Sequence, residues 1–274
     1  GTIETCKFML NLKLKNDFMK NYQIGNYLMD HPVNNAANGF VDTINFKKNF
    51  INTKTNFNSK NISKNQYSIS PTTNFLEKNK ILDAELILNF KVNFQSSTVK
   101  KYLNNFKQAA PLYFKKLFKK KNIRFVQCDI NPEQDAVFTN RISLNFDKKD
   151  PHSNFSVKIN WRKSENMRKT QLNLIKNLGQ FFIEKNLGRI AVKNYLREEG
   201  RFIPNSPCIH HLGGTRMGTN IKNSVVNKNL QVHGFKNLYI SSGSVFKSSG
   251  FANPVYTICQ LSVRLGGYLS KKLV

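Results

Sequence analysis

The chain has 274 residues, of which 39% are hydrophobic and 12% aromatic, with 22 Phe. This length and composition provide a sizeable buried core in one large or two modest domains and exclude a wholly disordered, collagen-like or low-complexity chain. Lys and Arg number 43 against 16 Asp and Glu, so the formal net charge is +27, which first points to a nucleic-acid partner.

The excess positive charge is spread along the chain rather than concentrated in one arm or on one helix face. Asn, Lys, Ile and Phe are abundant together, a pattern that a general compositional bias produces without a polyanion partner. The densest run, residues 115–121, has apolar residues at helical spacing among its lysines, which is typical of a solvated helix face. We therefore expect no nucleic-acid partner.

The four cysteines are Cys6, Cys128, Cys208 and Cys259. They lie far apart with no Cys-x-x-Cys pair, so the sequence predicts neither a metal site nor a disulfide framework. This pattern fits a reducing compartment, and we expect a cytoplasmic location. No apolar run approaches the ~20 residues of a membrane helix, and no charged start followed by an apolar stretch marks a secretion signal.

Along the chain, residues 1–32 begin with a periodic apolar stretch. Residues 33–80 are polar and rich in Asn, which predicts long loops and short strands. Apolar and polar residues alternate over 82–90, the period of a half-buried strand. A helical pattern follows over 98–121, and Pro111 is expected to kink or divide it.

Alternation returns over 123–161 and predicts antiparallel strands joined by polar turns such as 148–151. Ser164 then caps a predicted helix that ends at Gly188. The apolar face of this helix consists of Leu172, Ile175, Leu178 and Phe182. Strands and helices are segregated rather than strictly alternating, so the predicted fold class is α+β.

The residues with the clearest chemical character lie in 208–269, where Gly and other small residues are frequent. This segment contains the run His210-His211-Leu212-Gly213-Gly214-Thr215-Arg216-Met217-Gly218. Because the two His residues precede a Gly-rich turn, at least one of them can project into a cavity. A short predicted strand, 237–240, then leads into the small residues 241–244, where a backbone can approach a ligand closely.

Asn253 and Pro254 predict the start of an apolar helix, since Asn favours the N-cap and Pro the first turn. The free N–H groups and positive dipole end of that helix suit an anionic or polarisable cofactor. A strand, a small-residue turn and a helix of this kind also occur without any cofactor. A His beside a Gly pair is often structural, so the residues alone leave both a site and a structural role open.

In order and spacing, this tail resembles the C-terminal signature of the glucose–methanol–choline (GMC) flavoprotein oxidoreductases. The resembling runs are 210–218, 225–234, 237–240, 243–246, 249–254 and 262–265. Upstream, residues 25–32 are similar to the family motif Gly-x-x-Leu-x-Asp-His-Pro, and residues 1–5 to a segment that ends a strand of the flavin domain. Residues 132–144 and 160–162 resemble strands of the substrate domain.

The resemblance implies an antiparallel-sheet substrate domain with flanking helices, plus C-terminal and short N-terminal pieces of an FAD-binding, Rossmann-like domain. On this basis 1–32 would end the FAD-binding domain and 33–205 would form the substrate-binding domain. Residues 206–274 would return to the FAD-binding domain and carry the catalytic residues.

The resemblance also assigns catalytic roles. The family's catalytic histidine corresponds to His211, and its second catalytic residue, a His or Asn, corresponds to Asn253. The implied reaction oxidises a CH–OH group of an alcohol, sugar or polyol by hydride transfer to flavin. His211 would take the hydroxyl proton and Asn253 would hydrogen-bond to the substrate oxygen. His210, the flanking residue, would line the substrate pocket.

The implied cofactor is FAD, contacted by Asn253 and by backbone groups of Ser242, Gly243, Pro254 and Val255. Many family members have Asp at the position of Ser242, so only a backbone role is expected there. Many have Pro near the position of Lys247.

The glycine-rich motif Gly-x-Gly-x-x-Gly, which cradles dinucleotide phosphates, does not occur in this sequence. We therefore expect the chain to be the C-terminal half of a longer protein. An N-terminal FAD-binding half would lie in the same longer chain or in a separate one. The alternatives are a non-catalytic truncated remnant, a basic interaction module, and a relative of the hydroxynitrile lyases without net redox change.

Overall fold

The computed structural model describes residues 1–30, 32–50, 57–63, 65–91, 97–119, 122–198 and 210–273. The helices are α1 Thr2–Leu14, α2 Thr43–Phe50, α3 Thr73–Asn79, α4 Ser97–Ala109, α5 Pro111–Phe118, α6 Glu165–Glu184, α7 Asn194–Arg197 and α8 Val255–Leu273. The strands are β1 Asn34–Asp42, β2 Phe57–Ser63, β3 Gln66–Pro71, β4 Ala84–Lys91, β5 Ile123–Pro132, β6 Arg141–Lys149, β7 Phe155–Asn160 and β8 Gly188–Val192. Short 3-10 helices span Asp17–Met19 and Gly243–Val245.

The packing contacts divide the chain into two compact units. The first unit consists of 1–31, 133–164 and 208–274, and the second of 32–132 and 165–207. Helices combine with antiparallel sheet, which confirms the predicted α+β class. The functional domains 1–32, 33–205 and 206–274 stay a prediction, since the two units are defined by contacts alone.

The second unit is built on a six-stranded sheet in the order β2-β3-β4-β5-β1-β8. Every neighbouring pair is antiparallel. One face is apolar and packs against α6, so that Leu86 and Leu88 of β4 meet Leu178 and Phe182 in one buried cluster. Alternation along β4 explains this face, because every second side chain points into the core. Burying each Leu or Phe side chain stabilises the fold by about 1.5–3 kcal/mol.

The opposite face of the same sheet is divided between apolar and polar side chains. Near β8, Phe40 of β1 and Phe125 of β5 pack with residues of α4 and α5. Towards β4, the carboxylate of Asp129 accepts hydrogen bonds from Gln127 at 2.9 Å and from Asn89 at 3.0 Å. The sheet therefore presents an apolar cluster and a polar amide–carboxylate patch on this face.

In the first unit the β6–β7 hairpin contacts α1, and α1, the loops after 210 and one side of α8 pack around an apolar cluster. Met9, Tyr22, Val226, Ile240 and Leu265 belong to this cluster. Helix α8 packs on this cluster with Leu261 and Leu265. It buries only this stripe, because Tyr256 and Val263 on other faces are 75% and 73% exposed.

Several predicted elements are confirmed. The strand expected over 82–90 is β4, and the helical region after residue 97 is divided at Pro111, which begins α5. The alternation over 123–161 forms β5, β6 and β7. The lysines of 115–119 are exposed around the buried Leu117, as expected of a solvated helix face, whereas Lys120 and Lys121 lie outside the described residues.

The prediction of long loops and short strands over 33–80 is wrong in part. Residues 34–42 form a nine-residue strand that is buried almost throughout. This strand lies between β5 and β8, so its backbone groups are paired on both sides. Its asparagines are also hydrogen-bonded, as in the bond from Asn35 Nδ2 to Asp129 Oδ1 of 3.1 Å. Tertiary pairing overrides the weak β-propensity of Asn here.

The helix predicted to run from Ser164 to Gly188 ends earlier, at Glu184. Asn186, with φ of 51°, takes the left-handed position that closes the helix. Gly188 instead begins β8, where a Cβ would lie 2.1 Å from the carbonyl oxygen of Phe40. The glycine is thus needed for close strand pairing rather than for a helix cap.

Two further local predictions are wrong. Residues 1–5 do not end a strand, because α1 begins at Thr2, with Glu4 in its first turn and Lys13 in its last. Acidic and basic residues at these ends suit the helix dipole. The strand predicted over 237–240 is reduced to a single bridge between Tyr239 and Gln231.

Candidate active site

The loop that follows His210 is held on two sides by backbone hydrogen bonds. Leu212 pairs with Met29 through bonds of 2.9 and 2.8 Å. The N–H groups of Gly213 and Thr215 donate to the carbonyl oxygens of Gly243 and Ser244 at 3.1 and 2.9 Å. The Gly-rich run therefore lies between the 25–30 segment and the 3-10 helix at 243–245.

The glycine pair in this loop is explained by packing. Gly213 and Gly214 both have positive φ, at 80° and 95°. A Cβ on Gly213 would lie 2.2 Å from the carbonyl oxygen of Tyr27, and one on Gly214 would lie 2.4 Å from Cys6 Sγ. Burial raises the pKa of the Cys6 thiol to about 12, so this cysteine stays protonated and acts as a small apolar side chain beneath the loop.

His211 combines access to solvent with a buried carboxylate behind it. Its side chain is 36% exposed, and its Nε2 lies 3.7 Å from Oδ2 of Asp30, whose side chain is only 3% exposed. The other carboxylate oxygen, Oδ1, accepts a hydrogen bond of 3.1 Å from the backbone N–H of His210. One buried carboxylate thus contacts both residues of the His-His pair, and a half-exposed imidazole beside it is suited to exchange a proton.

Asp30 is itself fixed by the side chain of Gln134, which is fully buried. Gln134 Oε1 accepts hydrogen bonds from the N–H of Asp30 at 2.8 Å and from Trp161 Nε1 at 2.9 Å. Its Nε2 donates to the carbonyl oxygen of Arg162 at 3.2 Å. The backbone N–H of Gln134 donates to Ser249 Oγ at 2.9 Å. Four distant segments of the first unit meet in this network.

Asn253 follows Ser249 by four residues and is exposed, whereas the adjacent Pro254 is buried. The carbonyl oxygen of Pro254 accepts the first helical hydrogen bond, from Ile258 N–H at 3.0 Å. Helix α8 therefore starts at Val255, within two residues of the predicted start at Asn253. The N–H groups of its first turn have no partner earlier in the helix, and Val255 and Tyr256 are exposed.

Ser242 and Gly243 are already engaged within the protein. Ser242 Oγ accepts a hydrogen bond of 3.2 Å from the N–H of Ser244 and so caps the 3-10 helix. Gly243 is buried, and a Cβ there would lie 2.9 Å from Leu212 Cδ2 and 3.2 Å from the carbonyl oxygen of His211. This close approach joins the turn directly to the backbone of His211.

The structure gives Asp30, Gln134 and Ser249 places in the site that sequence reasoning did not assign. Asp30 lay in the motif similar to Gly-x-x-Leu-x-Asp-His-Pro, and Ser249 in a run of the tail, but neither received a role. The signal was present in those motifs, whereas the meeting of the segments depends on tertiary structure. His31, Cys208 and the remaining residues of 199–209 lie outside the described part of the chain.

Within the described ranges, no group of three or more His, Cys, Asp or Glu side chains could hold a metal ion. Cys6 and Cys128 are buried free thiols and Cys259 is an exposed one. No helix in the described part of the chain has both the length and the apolar character needed to cross a bilayer.

Part of the chain matches a known protein family. Residues 138–262 match the family model described as GMC oxidoreductase. Over these residues the chain is similar to the GMC oxidoreductases, which confirms the resemblance seen in the sequence. The match includes His210, His211, Ser242, Gly243 and Asn253.

Two curated relatives carry activities in their names. A 2-methyl-1,2-propanediol dehydrogenase of Mycolicibacterium austroafricanum is 31% identical over 141 residues, which are 51% of this chain and 24% of that protein. The fructose dehydrogenase large subunit of Gluconobacter japonicus is 40% identical over 63 residues, 23% of this chain and 11% of that protein. The matched segments thus span a quarter or less of these relatives.

Solved structures with a similar fold include pyridoxine 4-oxidase from Mesorbium loti, at 12% identity and a TM-score of 0.48, covering 89% of this chain and 43% of that one. A variant of Aspergillus oryzae RIB40 formate oxidase gives 15% identity and a TM-score of 0.48, covering 99% of this chain and 53% of that one.

Proposed function

We propose that this chain carries the catalytic part of an FAD-dependent oxidoreductase that oxidises a CH–OH group of an alcohol, sugar or polyol. The observation that carries the proposal is the half-exposed imidazole of His211 beside the buried carboxylate of Asp30. Both named relatives, a diol dehydrogenase and a fructose dehydrogenase, support this substrate class. The buried free thiols fit a reducing compartment, so we include a cytoplasmic location in the proposal.

His211 is the proposed base. Its exposure lets it reach a substrate hydroxyl, and the neutral imidazole accepts the hydroxyl proton. Oδ2 of Asp30, 3.7 Å from Nε2, lies beside the ring that receives this proton. His210 is the proposed pocket residue next to this base, and its backbone N–H donates to the same carboxylate.

Asn253 is the proposed partner of His211. Its exposed carboxamide can donate a hydrogen bond to the substrate oxygen and steady it as negative charge develops. The adjacent N–H groups of the first turn of α8 add to the positive potential at this point. The loop from Ser249 to Asn253 starts at the network that holds Asp30, which supports a common site.

The residues present fit part of an FAD site. When bound, FAD supplies the hydride acceptor for the carbinol carbon. The exposed first turn of α8 would hold a polar edge of the flavin through Val255, together with Asn253 and Pro254. Ser242 and Gly243 contribute backbone only, because the Ser242 hydroxyl already caps the 3-10 helix.

The phosphate cradle requires an N-terminal half, which we propose to lie in the same longer protein or in a separate chain. Apolar surface on the first unit supports such a partner. Phe8 on α1 and Tyr256 and Val263 on α8 are 59%, 75% and 73% exposed. At Gly266 and Gly267, a Cβ would meet nothing within 4 Å, so another element can approach α8 closely there.

The proposal is tested by coexpressing the chain with an N-terminal half that contains the glycine-rich motif and measuring flavin absorbance. Anaerobic addition of 2-methyl-1,2-propanediol or fructose is expected to bleach the flavin peaks. His211→Ala should slow this reduction by about 10²–10⁴-fold, the usual contribution of a general base. His152→Ala, at an exposed turn, is the matched control and should reduce flavin at the unaltered rate.

A flavin-loaded complex that no alcohol or sugar reduces would refute the oxidoreductase proposal. Turnover without flavin reduction would point to lyase chemistry instead. A complex that never binds flavin would identify a non-catalytic remnant.

A further inference from the structure

A groove of about 1020 Å³ lies on the second unit, and its lining includes none of the residues assigned above. Its lining comes from β1, β8, α4 and the segment 193–197. Strand β8 is the last strand of the sheet order, so the groove follows an edge of the sheet. Its size is at the upper end of the range for sites that enclose a small ligand, about 300–1,000 Å³.

Among the residues that the structure describes, four cationic side chains line this groove and no acidic side chain does. The cations are Lys101, Arg189, Lys193 and Arg197. Among the described residues, none of them lies within ion-pair distance of a carboxylate. The surplus charge elsewhere on the chain is spread over solvated faces, whereas here it converges on one concavity, where a low-dielectric wall strengthens its field.

Two of the cations are held in fixed positions by neighbouring groups. Lys193 Nζ donates to the hydroxyl of Tyr102 at 2.7 Å and lies 5.1 Å from the centre of its ring. The guanidinium of Arg189 lies 4.0 Å from the ring centre of Tyr113 and donates to the carbonyl oxygen of Gly188 at 3.0 Å. Such pre-ordering lowers the conformational entropy that a ligand must overcome.

The positive field of the groove acts on Tyr102. Burial alone would raise the pKa of this phenol, but the hydrogen bond from Lys193 and the charges of Lys193 and Lys101 lower the pKa below its ordinary value. The groove therefore stabilises a negative charge on its own wall, which is the property that an anion-binding site requires.

Between the cations, the lining is aromatic. Tyr102, Phe106 and Tyr195 are half-buried and line the groove with Phe40. The rings of Phe40 and Phe106 stack at 5.9 Å with an angle of 19°. Flat apolar walls of this kind favour a planar ligand body, and fixed cations favour an oxyanion on it.

We propose that this groove binds a small molecule that carries a carboxylate or phosphate on a planar apolar body. Lys193 and Arg189 hold the oxyanion, and the aromatic wall around Tyr102 and Phe106 holds the planar body. The proposal is independent of the oxidoreductase function, because none of these residues belongs to the site around His211.

The test is calorimetric titration of the full chain with naphthalene-2-carboxylate, 2-naphthyl phosphate and the neutral isostere naphthalene-2-carboxamide. At least one of the two anions should bind roughly tenfold more tightly than the carboxamide, the gain expected from one charge-assisted hydrogen bond. The anion that binds more tightly shows whether the groove favours a carboxylate or a phosphate. Lys193→Met should remove about the same factor for that anion and leave the carboxamide unaffected.

Lys176→Met is the control, because Lys176 is an exposed lysine of α6 outside the groove. This variant should bind all three probes as the unaltered chain does. Circular dichroism of each variant verifies that the fold is retained. Equal binding of the anions and the carboxamide, or an unchanged affinity in Lys193→Met, would overturn the proposal. If Lys193→Met weakened only the binding of duplex DNA, and that binding had a steep salt dependence, the groove would be a polyanion surface and the proposal would also be overturned.

Discussion

The hydrogen-bond network behind His211 gives the sharpest prediction. Gln134→Met keeps the length and volume of a fully buried side chain but removes all its hydrogen bonds. The N–H of Asp30 and Nε1 of Trp161, now 2.8 and 2.9 Å from Gln134 Oε1, lose their acceptor. A stranded buried donor costs about 1–3 kcal/mol. Because Trp161 is half-exposed and can turn towards water, we expect a total loss of about 2–4 kcal/mol.

The assay uses the only tryptophan of the chain. Trp161 belongs to the first unit and bonds directly to Gln134, so its fluorescence during urea unfolding reports that unit. The matched control is Gln260→Met, at an exposed position of α8 in the same unit, where the change should stay within about 0.5 kcal/mol. If Gln134→Met lowered the free energy of unfolding by less than about 1 kcal/mol, the reasoning would be refuted. Such a result would mean that these N–H groups form hydrogen bonds with water instead.

Three further predictions concern other parts of the molecule. Gly214→Ala should destabilise the first unit by about 1–3 kcal/mol, because Gly214 has a φ of 95° and a Cβ there would lie 2.4 Å from Cys6 Sγ. Gly266→Ala should instead stabilise that unit by about 0.5–1 kcal/mol, because a Cβ on this helical glycine meets nothing within 4 Å. Urea unfolding measures both changes. Iodoacetamide should label Cys259 and leave Cys6 intact until the chain unfolds, as peptide mass mapping will show. The pKa of Glu165 is lowered by hydrogen bonds from the arginine three residues on, so its stabilisation is present above its ordinary pKa and is lost as the pH falls below it. Glu165→Gln should therefore lose part of the drop in melting temperature between pH 6 and acidic pH; an identical drop would contradict this role.

Elements with a strong period or a firm breaker could be predicted from the sequence. The alternation in β4 and the division at Pro111 follow from side-chain period and from the missing proline N–H. The Asn-rich strand β1 could not be predicted, because its stability comes from pairing with β5 and β8, which are distant in sequence. The prediction of a helix end at Gly188 is wrong, since a glycine that permits close strand approach has the same local signature as a C-cap.

The candidate site shows the same division between local and distant information. His211 and Asn253 were identified through a resemblance of motifs rather than through chemistry visible in the residues alone. The roles of Asp30 and Gln134 depend on contacts across more than a hundred residues of sequence, such as the 2.8 Å bond between them. No local sequence pattern predicts that the buried side-chain amide of Gln134 will fix the residue that carries the Asp30 carboxylate.

The order of the segments in the two units has a consequence for biosynthesis. The polypeptide passes between the units four times, at residues 31, 132, 164 and 207. On the ribosome, the segments of the second unit therefore emerge before the last segment of the first. The apolar side of α1 that belongs to the apolar cluster of the first unit is covered only after the loops beyond residue 210 have been synthesised. Until those loops have been synthesised, the apolar side of α1 is exposed on the nascent chain, where a chaperone that binds apolar segments can capture it.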